Sequence, residues 1–425
     1  MGEAASSGRV VCECVATVPG HDGAVSCVVA AGEHLYSASA GNDIRMWELP
    51  DLAPCSAHQF AAASADPLCS VKAMLVADHR LFGAHQDHKI RVWRRSLLPS
   101  PAAAAAAAEL VNDEKKPTTL QPIATLPLFK HCFWKSLWQS NYVQVRRHHK
   151  KLWIQHTDTI SSLAVGKAQQ VLYSASWDKT VKVWRMADLK CVESISAHDD
   201  AINALAVCDK SGVLYTGSAD GKVKAWGKGG ADGTVLQMHA ACKERHRLLA
   251  TMEGGHQKGA SVNALAVSEG GEFVVSAGSD GALAVWGREK GEAHVISKML
   301  QKLAGCHAQP ILCLCACKLQ LQQEQEPGLL IFMSGSADKT VRLWQLDVAT
   351  AGRSGAIKMA CVGVLRGHGG AVKSICVAPS NSADHEALSK VMNMSGVMGG
   401  GSLVYTGSAD KTIKAWWVKA GLGLP

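Results

Sequence analysis

Short stretches in which apolar and polar residues alternate recur along almost the whole chain, and this period of two predicts β-strands rather than helices. Runs such as AINALAV (201–207) and SVNALAV (261–267) are each followed by a second apolar run, a tight polar turn and a third run that ends in tryptophan. The third runs are nearly identical: SASWDKTVKVW ending at Trp184, TGSADGKVKAW at Trp226, SAGSDGALAVW at Trp286, SGSADKTVRLW at Trp344 and TGSADKTIKAW at Trp416, with looser copies at Trp47 and Trp93. A histidine usually precedes the unit, as at His21, His156, His198, His256, His307 and His368. A unit of about forty residues holding four short strands predicts a β-propeller, here all-β with seven blades. A four-stranded sheet has two apolar faces and buries neither alone; stacking blades around an axis covers both, and closing the ring removes the free end.

Each unit also carries a fixed polar set. An aspartate stands six residues before the tryptophan, in the turn, and a serine or threonine stands four residues before that aspartate. The predicted tetrads are His156, Ser174, Asp178 and Trp184; His198, Thr216, Asp220 and Trp226; His256, Ser276, Asp280 and Trp286; His307, Ser334, Asp338 and Trp344; and His368, Thr406, Asp410 and Trp416. Carboxylate, imidazole, hydroxyl and indole N–H can satisfy one another when buried, so their expected role is structural. In blade one Gly41 replaces the turn aspartate. In blade two Gly83 replaces the hydroxyl residue, and no histidine precedes Cys69 at the usual distance. The polar network is therefore expected to be incomplete in both.

These residues resemble the WD40 repeat, although no copy has aspartate after its tryptophan. Through NYVQVRRHHKKLWIQHTDTISSLAV (141–165), LYSASWDKTVKVW and SAHDDAINALAV the chain is similar to the plant JINGUBANG-type WD40 proteins. The resemblance implies a seven-bladed, non-enzymatic regulatory scaffold of cytoplasm or nucleus that captures protein partners in developmental signalling.

No room is left for a fourth strand after Trp416, whereas RVVCECVATV (9–18) has no blade of its own. The N-terminal strand is therefore expected to complete blade seven and close the ring. The predicted blades are 20–60, 66–127, 155–196, 197–253, 255–304, 306–366 and 367–418 plus 9–18, one domain spanning 9–418. The alanine-rich stretch 95–120 reads as a disordered insert. It falls, like 227–247, 320–328, 345–359 and 380–402, on the face away from the aspartate turns.

One long insert, 127–155, reaches the aspartate-turn face, here called the top. Phe129, Phe133 and Leu137 are spaced four apart, as are Trp134 and Trp138, which predicts a short amphipathic helix; packing of its aromatics over blade two is the bland reading of the segment. A cationic cluster follows, including Arg146, Arg147, Lys150 and Lys151, and 128–153 contains no acidic residue. Trp177 stands where other copies have Ala219, Ser279, Ala337 or Ala409. These five residues, Arg146, Arg147, Lys150, Lys151 and Trp177, are the expected partner contacts, because Trp and Arg concentrate binding energy at interfaces. Burial of Trp177 under the insert and a merely solvated basic loop are the bland alternatives.

Composition narrows the rest. The net charge of +8 sits mostly in that one segment. Fifteen cysteines, an odd number placed mostly in strands, suit small buried hydrophobes better than disulfides. No stretch is long and apolar enough to span a bilayer, and the Met-Gly start only loosely fits myristoylation. The GSADGK and GSADKT runs have the wrong glycine-to-lysine spacing for a phosphate loop. Neither His85 with His88 nor Cys313, Cys315 and Cys317 matches an established metal spacing. No cofactor, metal, membrane or sequence-specific nucleic acid is expected, the chain is expected to be monomeric, and an enzyme is disfavoured because no catalytic motif is singular. A substrate receptor of a cullin-type ubiquitin ligase is the rival binding role, weakened by the absence of Trp-Asp-x-Arg.

Overall fold

The computed structural model describes residues 10–41, 43–49, 52–55, 60–61, 69–96, 119–146, 149–228, 245–288, 295–319, 329–347, 357–378 and 401–420. The alanine-rich 97–118 thus lies outside the described residues, as do most of the other expected inserts. Strand follows strand in antiparallel order, and the larger sheets number seven, one per blade. Blade three is typical: Ile160–Gly166 is innermost, followed outward by Val171–Ser176, Thr180–Arg185 and Lys190–Ser196.

All seven innermost strands share one irregularity. Register slips between their first and third residues, as at Val25/Cys27, Val71/Ala73, Ile160/Ser162, Ile202/Ala204, Val262/Ala264, Ile311/Cys313 and Val372/Ser374. A β-bulge of this kind re-aims the skipped residue. In blades three, four and five that residue staples the next blade: Ser161 Oγ donates to the Ile202 carbonyl, Asn203 Nδ2 to that of Val262 (3.1 Å) and Asn263 Nδ2 to that of Ile311 (3.0 Å). The innermost strands surround an axial channel of about 870 Å³.

The apolar core is divided into clusters that lie between blades. Trp184 packs with Phe82, Val92 and Leu126 of blade two, whereas Tyr173 of the same blade packs with Leu205, Leu214 and Trp226 of blade four. The pattern repeats: each blade turns its tryptophan toward the preceding blade and the residue eleven positions earlier, tyrosine in four blades, toward the next. Removing one such buried aromatic costs roughly 3–5 kcal/mol.

Val10–Pro19 is the outermost strand of blade seven. It pairs antiparallel with Thr412–Ala420 from Val10↔Ala420 to Pro19↔Thr412, so the two chain ends close the ring as the sequence predicts. Lys414 Nζ also donates to Thr17 Oγ1 at 2.8 Å across this seam.

Candidate binding surface on blades two and three

The repeated polar sets form chains whose proton direction follows from connectivity. The Asp178 carboxylate only accepts, so the proton of the neutral His156 ring is on Nδ1 and Nε2 accepts from the Ser174 hydroxyl at 2.8 Å, while Trp184 Nε1 donates to that hydroxyl at 2.9 Å. His156 Nδ1–H then donates to Asp178 at 2.9 Å, and the Thr157 and Thr180 amides donate to the same carboxylate. The same chain joins His198, Thr216, Asp220 and Trp226; His256, Ser276, Asp280 and Trp286; His307, Ser334, Asp338 and Trp344; and His368, Thr406, Asp410 and Trp416. Burial outweighs the neighbouring carboxylate and holds all five imidazoles below their ordinary pKa. Burial pushes the five carboxyls up, but the hydrogen bonds and the histidine hold each below the usual carboxylate range.

Blade one departs from the expectation. Asp43, at the start of the third strand, does what Gly41 cannot: it accepts from His21 Nδ1 at 2.6 Å and from Ser39, while Ser37 bridges His21 and Trp47. The separation of His21 from Asp43, 22 residues, equals that of His156 from Asp178, and the hydroxyl-to-tryptophan spacing of 10 residues is also unchanged, so the carboxylate comes from further along a turn of the same length. Burial pushes the Asp43 carboxyl up, but hydrogen bonds from His21 and Ser39 bring it down to about 2.

Blade two has a different solution. His85 fills the place of the missing hydroxyl, its Nδ1 donating to the Cys69 carbonyl at 2.8 Å, and burial lowers its pKa to about 4. Gly83 leaves room for this ring, since a Cβ there would stand 3.0 Å from the Trp93 ring and 3.2 Å from His85 and would crowd both. Asp87 pairs with Arg91 at 2.8 Å instead of with a histidine. Among the described residues no group of histidine, cysteine and acidic side chains is arranged to hold a metal. Burial raises the Cys315 pKa to about 11 and pushes Cys313 and Cys317 up as well, so these thiols stay protonated.

The insert leaves blade two at Leu126, paired with Ile90 just behind the Asp87 turn, and re-enters beside the Asp178 turn, where the Thr157 amide meets the Asp178 carboxylate. Both ends are on the aspartate-turn face. Its helix, Phe129–Ser136, lies against the outer part of blade three: Cys132 packs against the cluster that holds Leu189 and Cys191. The helix buries no residue. Leu128 and Cys132 are the side chains that pack against the core between blades two and three, while Phe129 is 84% exposed and Trp134 and Trp138 are each 68% exposed. Phe133 and Leu137 are also exposed. The bland reading, in which these aromatics pack over blade two, does not describe them. Spacing by four puts side chains on one face of a helix, but the face turned inward here is the one carrying Leu128 and Cys132.

A hairpin follows, Tyr142–Arg146 with His149–Leu152, and Lys135 Nζ lies 4.4 Å from the Trp153 ring centroid. The backbone of Arg146 is in this hairpin, opposite His149; the side chain of Arg146 and all of Arg147 lie outside the described residues. Lys150 is exposed and Lys151 half-buried. Trp177 is 43% exposed and so is not covered by the insert. Between the hairpin and the outer strands of blade three lies a recess of about 590 Å³.

Two features escape the sequence reading. Lys179, Lys339 and Lys411 adopt φ near +70° directly after the turn aspartate, the place that glycine takes at Gly221 and Gly281. Glu193, His246 and Tyr173 form a buried chain between blades three and four, with Glu193 to His246 Nδ1 at 2.7 Å and Tyr173 to His246 Nε2 at 3.0 Å.

Six segments match the family model described as WD domain, G-beta repeat: 12–48, 148–185, 189–227, 246–287, 298–345 and 359–416. Together they cover more than half of the chain. The protein belongs to the WD40 family. All but 148–185, which begins in the insert hairpin, take in outer-strand residues ahead of their blade, and none covers blade two, where the hydroxyl and histidine of the tetrad are replaced. WD40 propellers generally serve as protein-interaction scaffolds. A comparison with curated proteins found no match. No helix among the described residues is long and apolar enough to cross a membrane.

Proposed function

We propose that this WD40 protein is a non-catalytic regulatory scaffold, as its likeness to the plant JINGUBANG-type proteins implies, and that it holds a protein partner on the rim and upper face of blades two and three. The observation that carries this reading is the insert itself. Phe129, Phe133, Trp134, Leu137 and Trp138 stand exposed along the helix Phe129–Ser136 and the two residues after it, a hairpin rich in cations follows, Trp177 is exposed on the Asp178 turn, and 128–153 has no acidic side chain. A contiguous exposed aromatic patch of this kind marks an interaction site on a soluble protein. Trp134 and Trp138 supply the apolar anchors, and Arg146, Arg147, Lys150 and Lys151 supply steering and a polar rim.

The test is affinity capture with full-length protein, comparing wild type with Trp134→Ala/Trp138→Ala and with Arg146→Glu/Arg147→Glu. Both variants are expected to lose the captured partner while melting within a few degrees of wild type, since neither tryptophan is buried. Undiminished capture by both variants would exclude this surface.

A further inference from the structure

Lys182 occupies the repeat position two residues before the blade tryptophan. At that position Arg45 pairs with Asp43 and Arg91 with Asp87, while Lys224 and Lys414 reach a carbonyl and a hydroxyl from half-buried sites. Lys182 alone is covered by the insert, and it is 3% exposed. Its ammonium donates to the Trp153 carbonyl at 2.6 Å and to Ser194 Oγ at 3.0 Å, which uses two of its three N–H groups. No carboxylate of the described residues makes an ion pair with it. Asp178 is in the neighbourhood, but His156, the Thr157 amide and Thr180 already engage both of its oxygens. Burying an ammonium ion without a counter-charge is costly, and burial accordingly pulls the Lys182 pKa down. Lys182 and Ser194 line the recess beside the hairpin, with Lys151 and Lys179 also lining it and Val143 and Trp153 forming an apolar wall; Asp158 and Asp178 line it too, Asp158 accepting from the Thr159 amide and Asp178 with both oxygens engaged.

We infer that this recess receives an aspartate or glutamate side chain of the protein partner, whose carboxylate pairs with Lys182 Nζ and whose flanking apolar residues lie against Val143 and Trp153. The inference rests on the partner-binding reading above and specifies the partner segment: acidic and apolar residues in alternation. The cations around the recess complement it, and a buried pair formed with excellent geometry is the kind that binding can make favourable.

The probe is a fluorescein-labelled peptide of alternating aspartate and leucine, titrated into full-length protein by fluorescence polarisation. An asparagine-for-aspartate peptide and inorganic phosphate serve as competitors. Saturable binding is expected, weakened at least tenfold by Lys182→Met and not competed by the asparagine peptide. Hydrogen exchange on wild-type protein supplies a measurement that no folding defect can confuse: the peptide is expected to slow exchange in Lys190–Ser196 and in the 142–152 hairpin. Equal binding by Lys182→Met, protection confined to other blades, or Lys182-dependent binding of phosphate without the peptide would each overturn the assignment. Partner capture that is lost in Trp134→Ala/Trp138→Ala but intact in Lys182→Met would sink this inference alone and leave the scaffold reading standing.

Discussion

Mild acidification should loosen this propeller well above the pH at which carboxylates titrate. His156, His198, His256, His307 and His368 are buried as neutral imidazoles with pKa values below the ordinary one, and His85 is held near 4. A histidine whose pKa falls on folding takes up a proton more readily in the unfolded chain, so its contribution is intact above about pH 6.5 and is lost as the pH drops below that value. If each imidazole stays neutral in the fold, going from pH 7.5 to 6.0 costs about 0.8 kcal/mol per histidine, or about 5 kcal/mol for the six, by proton linkage. The aspartates add nothing in this window because they are ionised in both states; their depressed pKa values act in the same direction only near and below pH 4. Urea titrations followed by tryptophan fluorescence at the two pH values read the effect as a fall in midpoint. A midpoint that is unchanged or higher at pH 6.0, or histidine ring protons that titrate near 6.5 in the folded protein, would refute the neutral hydrogen-bonded arrangement.

Further outcomes are expected from single changes. Asp220→Ala strands His198 Nδ1 in a buried site and should lower unfolding free energy by about 1–3 kcal/mol, measured by urea denaturation; a negligible change would mean that the bond does not form in solution. Glu193→Ala leaves His246 and its bond to Tyr173 without their anchor and should cost a similar amount, about 1–3 kcal/mol, although neither residue belongs to a tetrad. Deleting residues 1–19 removes the outer strand of blade seven and should abolish cooperative thermal unfolding, which adding the synthetic strand in trans should partly restore; a sharp transition in the truncated chain would show that the seam is dispensable. Gly83→Ser drives a hydroxyl into Trp93 and His85 and should destabilise by about 1–3 kcal/mol, the cost of overpacking, even though serine is the usual residue there.

The ring, its seven blades and its closure were legible because each is repeated or follows from counting strands. A copy of SADKTVRLW teaches how to read the next one. What stayed hidden is what the repeat does not carry. Asp43 serves blade one from the far end of a turn of ordinary length, so aligning Gly41 with the other aspartates misses it. Spacing by four marked Trp134 and Trp138 as neighbours but did not say which way the core lay; Leu128 and Cys132, a less conspicuous row, decide that. Lys182 is the same residue type at the same position as Lys224, and only the hairpin folded over it distinguishes them. The Glu193–His246–Tyr173 chain joins residues 53 and 73 positions apart in a single blade pair, where no periodicity points to it.

The seam between Val10–Pro19 and Thr412–Ala420 also constrains how the molecule comes into being. A ribosome makes Val10–Pro19 ahead of every other described strand and Thr412–Ala420 after them, so while the blades between are being made the early strand has no mate. The growing polypeptide is an open arc with two bare sheet margins, free to pair with a neighbouring nascent chain, until Thr412–Ala420 emerges. Maturation is thus a single late event that locks every blade together, and a ribosome that stops short of Thr412 releases an arc instead of a wheel.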